Sequence, residues 1–449
     1  MAVQVEEKLN AFRLKKLLCG AILSLPLLSS APSAAEEQIY VPYFTYRTGP
    51  FSAQGSYVAD GLRDYMEMLN ERDGGIGGVK ILVDECETAY DTKKGIECYE
   101  AVKGKQPVVI SPWTTGTALA IVPRAAVDKI PVLSMAHGLS ASADGNVFPW
   151  IFNPPNTYWD GLAMIIRYIG DQEGGLESLK GKRIGYLYLD GGFGKEPIPL
   201  LEELSKSIGF DLKQYPVAPQ EMQNQAAQWL GIRRDRPDYI VLFGWGAMNP
   251  TALKEASRAG FPADKIVSIW WPSEDDARSV GEAGKGFKVL NWHGVGSDFP
   301  AIQDIDRLLV ETGKSNATKE KLGAVLYNRG VYNSVLVAES IRNAQQLTGK
   351  KVISPEDMRR GIETLNITAE RWKEIGLEGF AGPIQLSCSD HNGHRSAFIQ
   401  QWDGEKWVRS SDDIEPMPDL VMPLISAAAK EYAERNTGWP QRTEPCDNP

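Results

Sequence analysis

The stretch LNERDGGIGGVKILVDE, residues 69–85, holds four glycines within five positions and then runs into Val and Ile. A dinucleotide fingerprint would need G-x-G-x-x-G with a strand before it and a helix after it, so that the helix N-terminus faces a pyrophosphate. Gly75 and Gly77 begin that pattern, but Lys80 stands where the third glycine belongs. The order of elements is also reversed. Upstream, Val58, Leu62, Tyr65, Met66 and Leu69 recur at helical spacing, and downstream VKILVDE reads as a strand. The glycines therefore cap a helix and turn the chain into a strand through positive φ, a structural task rather than a phosphate-binding one.

Working outward, that helix and strand are part of a longer alternation. QIYVPYF reads as a strand, TKKGIECYEAVKG as a helix, VVI as a strand, TALAIVPRAAVDK as a helix and PVLSM as a strand. Past NPPNTY the pattern restarts, with helices GLAMIIRYIG, KEPIPLLEELSKSIG, QAAQWLGIRR and ALKEASRAG among strands RIGYLYL, FDLKQYPV, YIVLFG and IVSIWW. Alternating β and α elements predict parallel sheets covered by helices on both faces, here as two doubly wound, Rossmann-like lobes. The prolines at Pro154 and Pro155 mark the first crossing between them. Helices around IQDIDRLLVET and LYNRGVYNSVLVAESIRNAQQL follow, then a strand pair AGPIQLS and RSAFIQQW, with Asp403 and Gly404 at a hairpin turn.

The first 35 residues stand apart. Lys8, Arg13, Lys15 and Lys16 precede the apolar run LLCGAILSLPLLSS, and Ser33 and Ala35 supply small residues for cleavage, as in a secretory signal peptide. Cys19 sits inside the run, a poor place for a lipidated N-terminal cysteine. The chain is 449 residues long, 43% hydrophobic and carries a net charge of −10, which suits two cores and argues against nucleic-acid binding. In an oxidising compartment Cys86 and Cys98 are close enough in sequence for a local disulfide, and Cys388 and Cys446 form the remaining pair. The cluster CSDHNGH competes with that second pair as a metal site, although its spacing fits no zinc pattern and also reads as a polar turn.

In open α/β sheets, ligands bind outside the carboxyl ends of the strands. Those loops are SPWTTGTA, AHGLSAS, DGGFGKE, WGAMNP and WPSEDD, rich in hydroxyls and aromatics. No nucleophile elbow, H-E-x-x-H motif or Walker run occurs, and no poised acid and base are evident.

With TGPFSAQG, LNERDGGIGGVKI, TTGTALAIVP, KRIGYLYLDGGFGKE and DYIVLFGWG followed by ALKEASRAGF in this order, the chain resembles the type I periplasmic solute-binding proteins of ABC transporters, in the branched-chain amino acid (leucine/isoleucine/valine-binding) family. The resemblance implies a hinged pair of lobes: residues 36–155 with about 292–350, and 156–291 with about 351–449, the tail wrapping the second lobe. It implies that Thr114 or Thr115 offers a hydroxyl to a ligand carboxylate, with Ala136, His137 and Gly138 beside it. Phe193 and Trp245 match aromatic wall positions, and Glu274 is the candidate partner for an ammonium group. His137 and Gly138 stand where Ala and Thr are common, and Gln54 where an aromatic is common. Trp113, Trp159, Trp245, Trp270 and Trp271 make the expected cleft rich in indole, each with core packing as the alternative reading.

The function implied is that of a periplasmic, monomeric receptor without cofactor or catalytic residues. It hands an apolar amino acid or an aromatic or apolar carboxylate to an inner-membrane ABC permease. The alternatives are an exported enzyme or a ligand-sensing receptor subunit using the same cleft.

Overall fold

The glycine-rich turn of residues 74–78 behaves as its sequence dictates. Gly74 ends the preceding helix in the left-handed region at φ 73°, and the Gly75 N–H donates to Leu69 O at 3.0 Å. Ile76 and Val79 then exchange backbone hydrogen bonds of 2.9 and 3.1 Å. A Cβ on Gly75 would lie 2.0 Å from Val79 O, so only glycine fits. The computed structural model describes residues 37–440 and 442–446. The expected signal peptide, with Cys19, lies outside the described residues.

The first half builds β1 (Gln38–Thr45), α1 (Ser52–Asp73), β2 (Lys80–Glu87), α2 (Thr92–Val102), β3 (Ser111–Pro112), α3 (Thr115–Asp128), β4 (Val132–Leu133) and β5 (Ile151–Phe152). The strands are parallel in the order β2-β1-β3, and an Ile110–Val132 bridge continues the sheet into the parallel pair β4-β5. The second half repeats the plan with α4 (Tyr158–Glu173), β6 (Arg183–Leu189), α5 (Gly192–Lys195), α6 (Ile198–Ile208), β7 (Asp211–Val217), α7 (Ala226–Asp235), β8 (Tyr239–Phe243), α8 (Met248–Ala259), β9 (Ile266–Ser268), α9 (Glu274–Arg278) and β10 (Lys288–Asn291). Its sheet runs β7-β6-β8-β9-β10, again with the second strand outside the first. Each half is thus doubly wound, with a switch point beside its first strand.

The remaining chain serves both halves. After α10 (Pro300–Ile305) comes α11 (Val325–Thr348), which lies on α1. The two helices approach closely because Gly61 faces Tyr327 O and Gly330 faces Val58 O, where an added Cβ would sit at 2.1 and 2.2 Å. Next are α12 (Pro355–Glu363), β11 (Asn366–Ile367), α13 (Ala369–Glu374), β12 (Ile384–Gln385), β13 (Phe398–Trp402), β14 (Trp407–Arg409) and α14 (Pro418–Arg435).

Two details differ from the sequence reading. The segment AGPIQLS does not pair with RSAFIQQW. Its β12 pairs with β11, and β13 pairs with β14 across a turn in which Asp403 Oδ1 accepts from the Glu405 and Lys406 N–H groups. Periodicity locates strands but not their partners, and the nearer hairpin wins. The tail touches both halves: α14 packs on α4, and Arg167 Nη1 donates to Glu415 O at 3.2 Å, but the tail also reaches the first half. Ser426 Oγ donates to Asp144 Oδ2 at 2.8 Å, Trp439 Nε1 donates to Val147 O at 2.7 Å, and Phe148, Tyr432 and Trp439 share an apolar cluster. α12 packs on α11, so of the last hundred residues only β13 and β14 join the second sheet.

Disulfides join Cys86 to Cys98 and Cys388 to Cys446. The first ties the end of β2 to α2, and the second ties the last described residue to the CSDHNGH segment. Among the described residues no helix is long and apolar enough to cross a membrane.

Candidate functional site

Because the strands of the first half and β6 to β10 of the second are parallel, their carboxyl ends gather loops, and the two sets of loops face each other. Tyr46 follows β1, Tyr90 follows β2, Trp113 and Thr115 follow β3, and His137 follows β4. From the other side, Tyr158 opens α4 just after β5, Phe193 follows β6, Trp245 follows β8 and Trp271 follows β9. These nine side chains surround about 270 Å³ of space between atom surfaces, open solvent at the mouth included. Their rings interlock: Trp245 and Trp271 meet edge to face with centroids 5.6 Å apart and Trp113 and Trp271 likewise at 6.4 Å, while Trp113 and His137 are tilted by 32° at 5.8 Å.

The polar atoms of the wall are mostly donors. Trp113 Nε1 has no hydrogen-bond partner among the described residues, and Trp245 Nε1 approaches the Tyr46 hydroxyl without completing a bond. Trp271 Nε1 donates to Tyr158 Oη at 3.0 Å, and Thr115 Oγ1 lies 3.4 Å from the same hydroxyl. Burial raises the phenols of Tyr46, Tyr90 and Tyr158 well above their ordinary value, so each keeps its proton. No acid is among the nine. α3, of 14 residues, and α4, of 16, both start at the wall, so the positive ends of two helix dipoles adjoin it.

His137 is held from behind. Its Nδ1 lies 2.9 Å from Met135 O and its Nε2 2.5 Å from Pro112 O. Burial lowers its pKa and the hydrogen bonds to the two carbonyls oppose this, and the two contacts together fix the ring in place.

The structure brings Trp113, Thr115, His137, Phe193, Trp245 and Trp271 together on this wall. Other residues expected at the site do different work. Thr114 caps α3, accepting from Thr117 N–H at 3.1 Å and donating to Thr117 Oγ1 at 2.8 Å. The Ala136 N–H is bonded to Pro154 O at 2.9 Å and the His137 N–H to Ser134 O at 3.2 Å, while Gly138, at φ 92°, packs against Ala118 and Ser134. Glu274 does not line the cavity; its carboxylate accepts from Val325 N–H at 2.8 Å, and burial raises its pKa to about 7. Gln54 sits at the rim, where its Nε2 donates to Asp276 Oδ1 at 3.3 Å. Of the remaining tryptophans, Trp159 donates to Glu196 O at 3.2 Å, and Trp270 stacks with Tyr158 and meets Trp292 edge to face. Tyr46, Tyr90 and Tyr158 were absent from the sequence expectation, although each follows a strand end and the same rule would have found them.

The rim joins the halves at further points. Tyr57 Oη donates to Asp275 Oδ2 at 3.3 Å, and Ser140 N–H donates to Glu196 Oε1 at 2.8 Å. Burial raises the pKa of Asp276 to about 6 and that of Glu196 to about 7. On the opposite side, the chain crosses between the halves through a buried knot. Asp160 is fully buried and accepts from Asn392 Nδ2 and His394 Nδ1, both at 2.8 Å, and from Thr157 Oγ1 at 2.6 Å. Burial alone would raise the Asp160 pKa, but His394 and Thr157 hold it below the usual carboxylate range. Burial likewise opposes the charge on His394, yet Asp160 raises it to about 9. The CSDHNGH cluster is therefore used as a crossing: Cys388 is in a disulfide, His391 stacks on Phe152, and His394 pairs with Asp160. Among the described residues no three His, Cys, Asp or Glu side chains converge as metal ligands.

A family model described as periplasmic binding protein matches residues 38–406. A solved structure described as an ABC transporter permease from the Pseudomonas fluorescens group is 38% identical, with a TM-score of 0.84 over 91% of this chain and 100% of that one. A branched-chain amino acid ABC transporter protein from Thermus thermophilus with bound valine is 20% identical, with a TM-score of 0.73 over 87% of this chain and 99% of that one. A solute-binding protein from R. palustris in complex with benzoate is 17% identical, with a TM-score of 0.65 over 85% of this chain and 97% of that one. A search of curated proteins returned no match.

Proposed function

The chain belongs to the periplasmic binding protein family, and on that premise we propose that it captures a small aromatic or compact apolar carboxylate between its lobes and delivers it to an ABC permease. In this reading residues 1–35 are the export leader. One lobe comprises 36–155 with 292–363 and the tail, and the other comprises 156–291 with β13 and β14. Relatives with this fold are binding proteins, so the enzyme alternative is set aside.

The observation that carries the ligand class is the composition of the wall: nine residues, mostly aromatic, with donors and no carboxylate. An α-amino acid would leave its ammonium facing rings and donors, since Glu274 is turned to Val325. A carboxylate would meet Thr115, the unpaired Trp113 N–H and the N-terminus of α3, where charge-assisted hydrogen bonds form. The space these residues line is small and mostly aromatic, which favours a compact ligand. The same fold accommodates benzoate in the R. palustris protein and valine in the Thermus protein, so both ligand classes are within its range.

A thermal-shift screen of benzoate, 4-hydroxybenzoate, short aliphatic acids, L-valine and L-leucine tests the reading. Acids that lack an ammonium group should raise Tm by mass action. A shift with the amino acids alone would reject it.

A further inference from the structure

An aromatic cage by itself suits a cation, because the faces of indole and phenol rings are electron-rich. One feature behind this wall opposes that use. Arg329, on α11, is completely buried, yet no carboxylate among the described residues comes within ion-pair distance of it. Its guanidinium meets neutral acceptors: Nε donates to His293 Nε2 at 2.8 Å, Nη2 to Asn291 Oδ1 at 2.9 Å, and Nη1 to Trp270 O. The His293 tautomer is fixed to suit, since its Nδ1 lies 2.9 Å from Gly294 O and its pKa is pushed well down, first by burial and then by Arg329. The Arg329 Cζ lies 4.3 Å from the centroid of Trp292 and 5.5 Å from that of Trp271, and Trp271 lines the cavity.

We propose that Arg329 is a specificity-determining residue: its charge, carried on the Trp271 ring, biases the cavity toward anions and excludes the cations that its aromatic walls would otherwise favour. The inference rests on the carboxylate reading above and names the source of its sign selection. Trp271 already has a cation over it, so a bound cation would meet a like charge across a dry wall, where charges are poorly screened. A carboxylate in the same place is attracted.

Glu274 tempers this field. Its charge acts on Arg329, and its carboxylate, with a pKa near 7, is ionised at pH 8. The groups facing it are the Val325 N–H and Arg329 from α11, Tyr57 from α1, and Asp275 and Arg278 on its own helix.

The test is calorimetric titration of the full chain at pH 8 with three planar probes of similar shape: benzoate, benzamide and benzamidinium. In the wild type, affinity should fall in that order. Arg329→Gln should reduce the benzoate-to-benzamide affinity ratio by on the order of tenfold, and Arg329→Lys should preserve it within a few-fold. A purely structural role would weaken both probes equally and leave the ratio unchanged. Should the Gln variant fail to fold, Glu274→Gln supplies the second arm. It keeps an acceptor for Val325 N–H, removes the tempering charge, and should raise the ratio a few-fold. Benzoate binding with an unchanged ratio in the folded variants overturns the role of Arg329 alone. A wild type that prefers the amidinium, or that binds none of the three, overturns this inference together with the carboxylate reading.

Discussion

The cavity wall and the crossing knot are both buried and both rich in polar side chains, but the knot surrounds one carboxylate with donors, leaving the outer nitrogens of its histidines unmet among the described residues, while the wall has donors and no carboxylate. In the knot, Asp160 is ringed by Thr157, Asn392 and His394, each within 2.8 Å. At the wall, Trp113 Nε1 has no partner among the described residues, and the Trp245 bond is incomplete. An unmet donor in the interior costs about 1–3 kcal/mol. Among the described residues the indole N–H groups of Trp229, Trp270, Trp292, Trp402 and Trp407 are unmet too, and what sets Trp113 and Trp245 apart is that they line a cavity a ligand can enter. The knot should therefore control whether the protein folds, and the wall what it binds.

The sharpest way to break that contrast is Asp160→Asn. It removes the ion pair with His394 and turns one of the two acceptor oxygens into a donor, so that Thr157, Asn392 and His394 can no longer all be met. The expected loss is about 3–5 kcal/mol of unfolding free energy, read from urea titration. A loss under about 1 kcal/mol would mean that the knot is not structural. Its pH dependence sharpens the point. The His394 pKa is raised to about 9, so its stabilisation is complete below the unfolded value of about 6.5 and disappears as pH rises through 9. The Asp160 pKa is depressed, so its contribution is present above about 4 and is lost as pH falls through the folded value. A titration of stability should show a shoulder near pH 9 that Asp160→Asn removes.

Wall substitutions should do the reverse. Trp113→Phe deletes the unpaired N–H and keeps a ring, and Thr115→Val deletes the hydroxyl. Each should weaken benzoate binding by about 1.5–3 kcal/mol, while unfolding free energy changes by less than about 1 kcal/mol. Calorimetry and urea titration on the same samples separate the two. Loss of stability without loss of affinity would erase the distinction between the regions.

The smallest effect belongs to the rim. Gln54→Ala removes a 3.3 Å contact to Asp276 and should cost about 0.5–1.5 kcal/mol of binding, by loosening the meeting of the halves rather than touching the ligand. Small-angle scattering with and without benzoate would show whether closure weakens in step.

The sequence made the scaffold plain and the site half plain, for one reason. Period and turn chemistry are local, so the glycine turn at 74–78 and the strand–helix alternation could be read directly. The aromatic residues after strand ends could be read too, given the rule that loops at carboxyl ends carry the site, and the three missed tyrosines fall under that rule. What could not be read depends on distance along the chain. Asp160 and His394 are 234 positions apart, so CSDHNGH resembled a turn or a metal cluster until its partner was placed. Arg329 lies near the start of LYNRGVYNSVLVAESIRNAQQL and has the pattern of a solvent-facing cation, although it is completely buried against Trp270, Asn291, Trp292 and His293. Glu274 is an ammonium partner only by the family resemblance of its loop, whereas its neighbour is the start of α11, 51 residues later.

The central claim, that the unpaired donors of the wall await a carboxylate with no ammonium beside it, is tested most directly by a crystal structure of the protein grown with benzoate and L-valine together. The account predicts benzoate among Trp113, Trp245 and Trp271, with its carboxylate on Thr115 Oγ1 and Trp113 Nε1 and the halves closed over it. Valine in the cavity, with its ammonium on a rotated Glu274, would contradict the account.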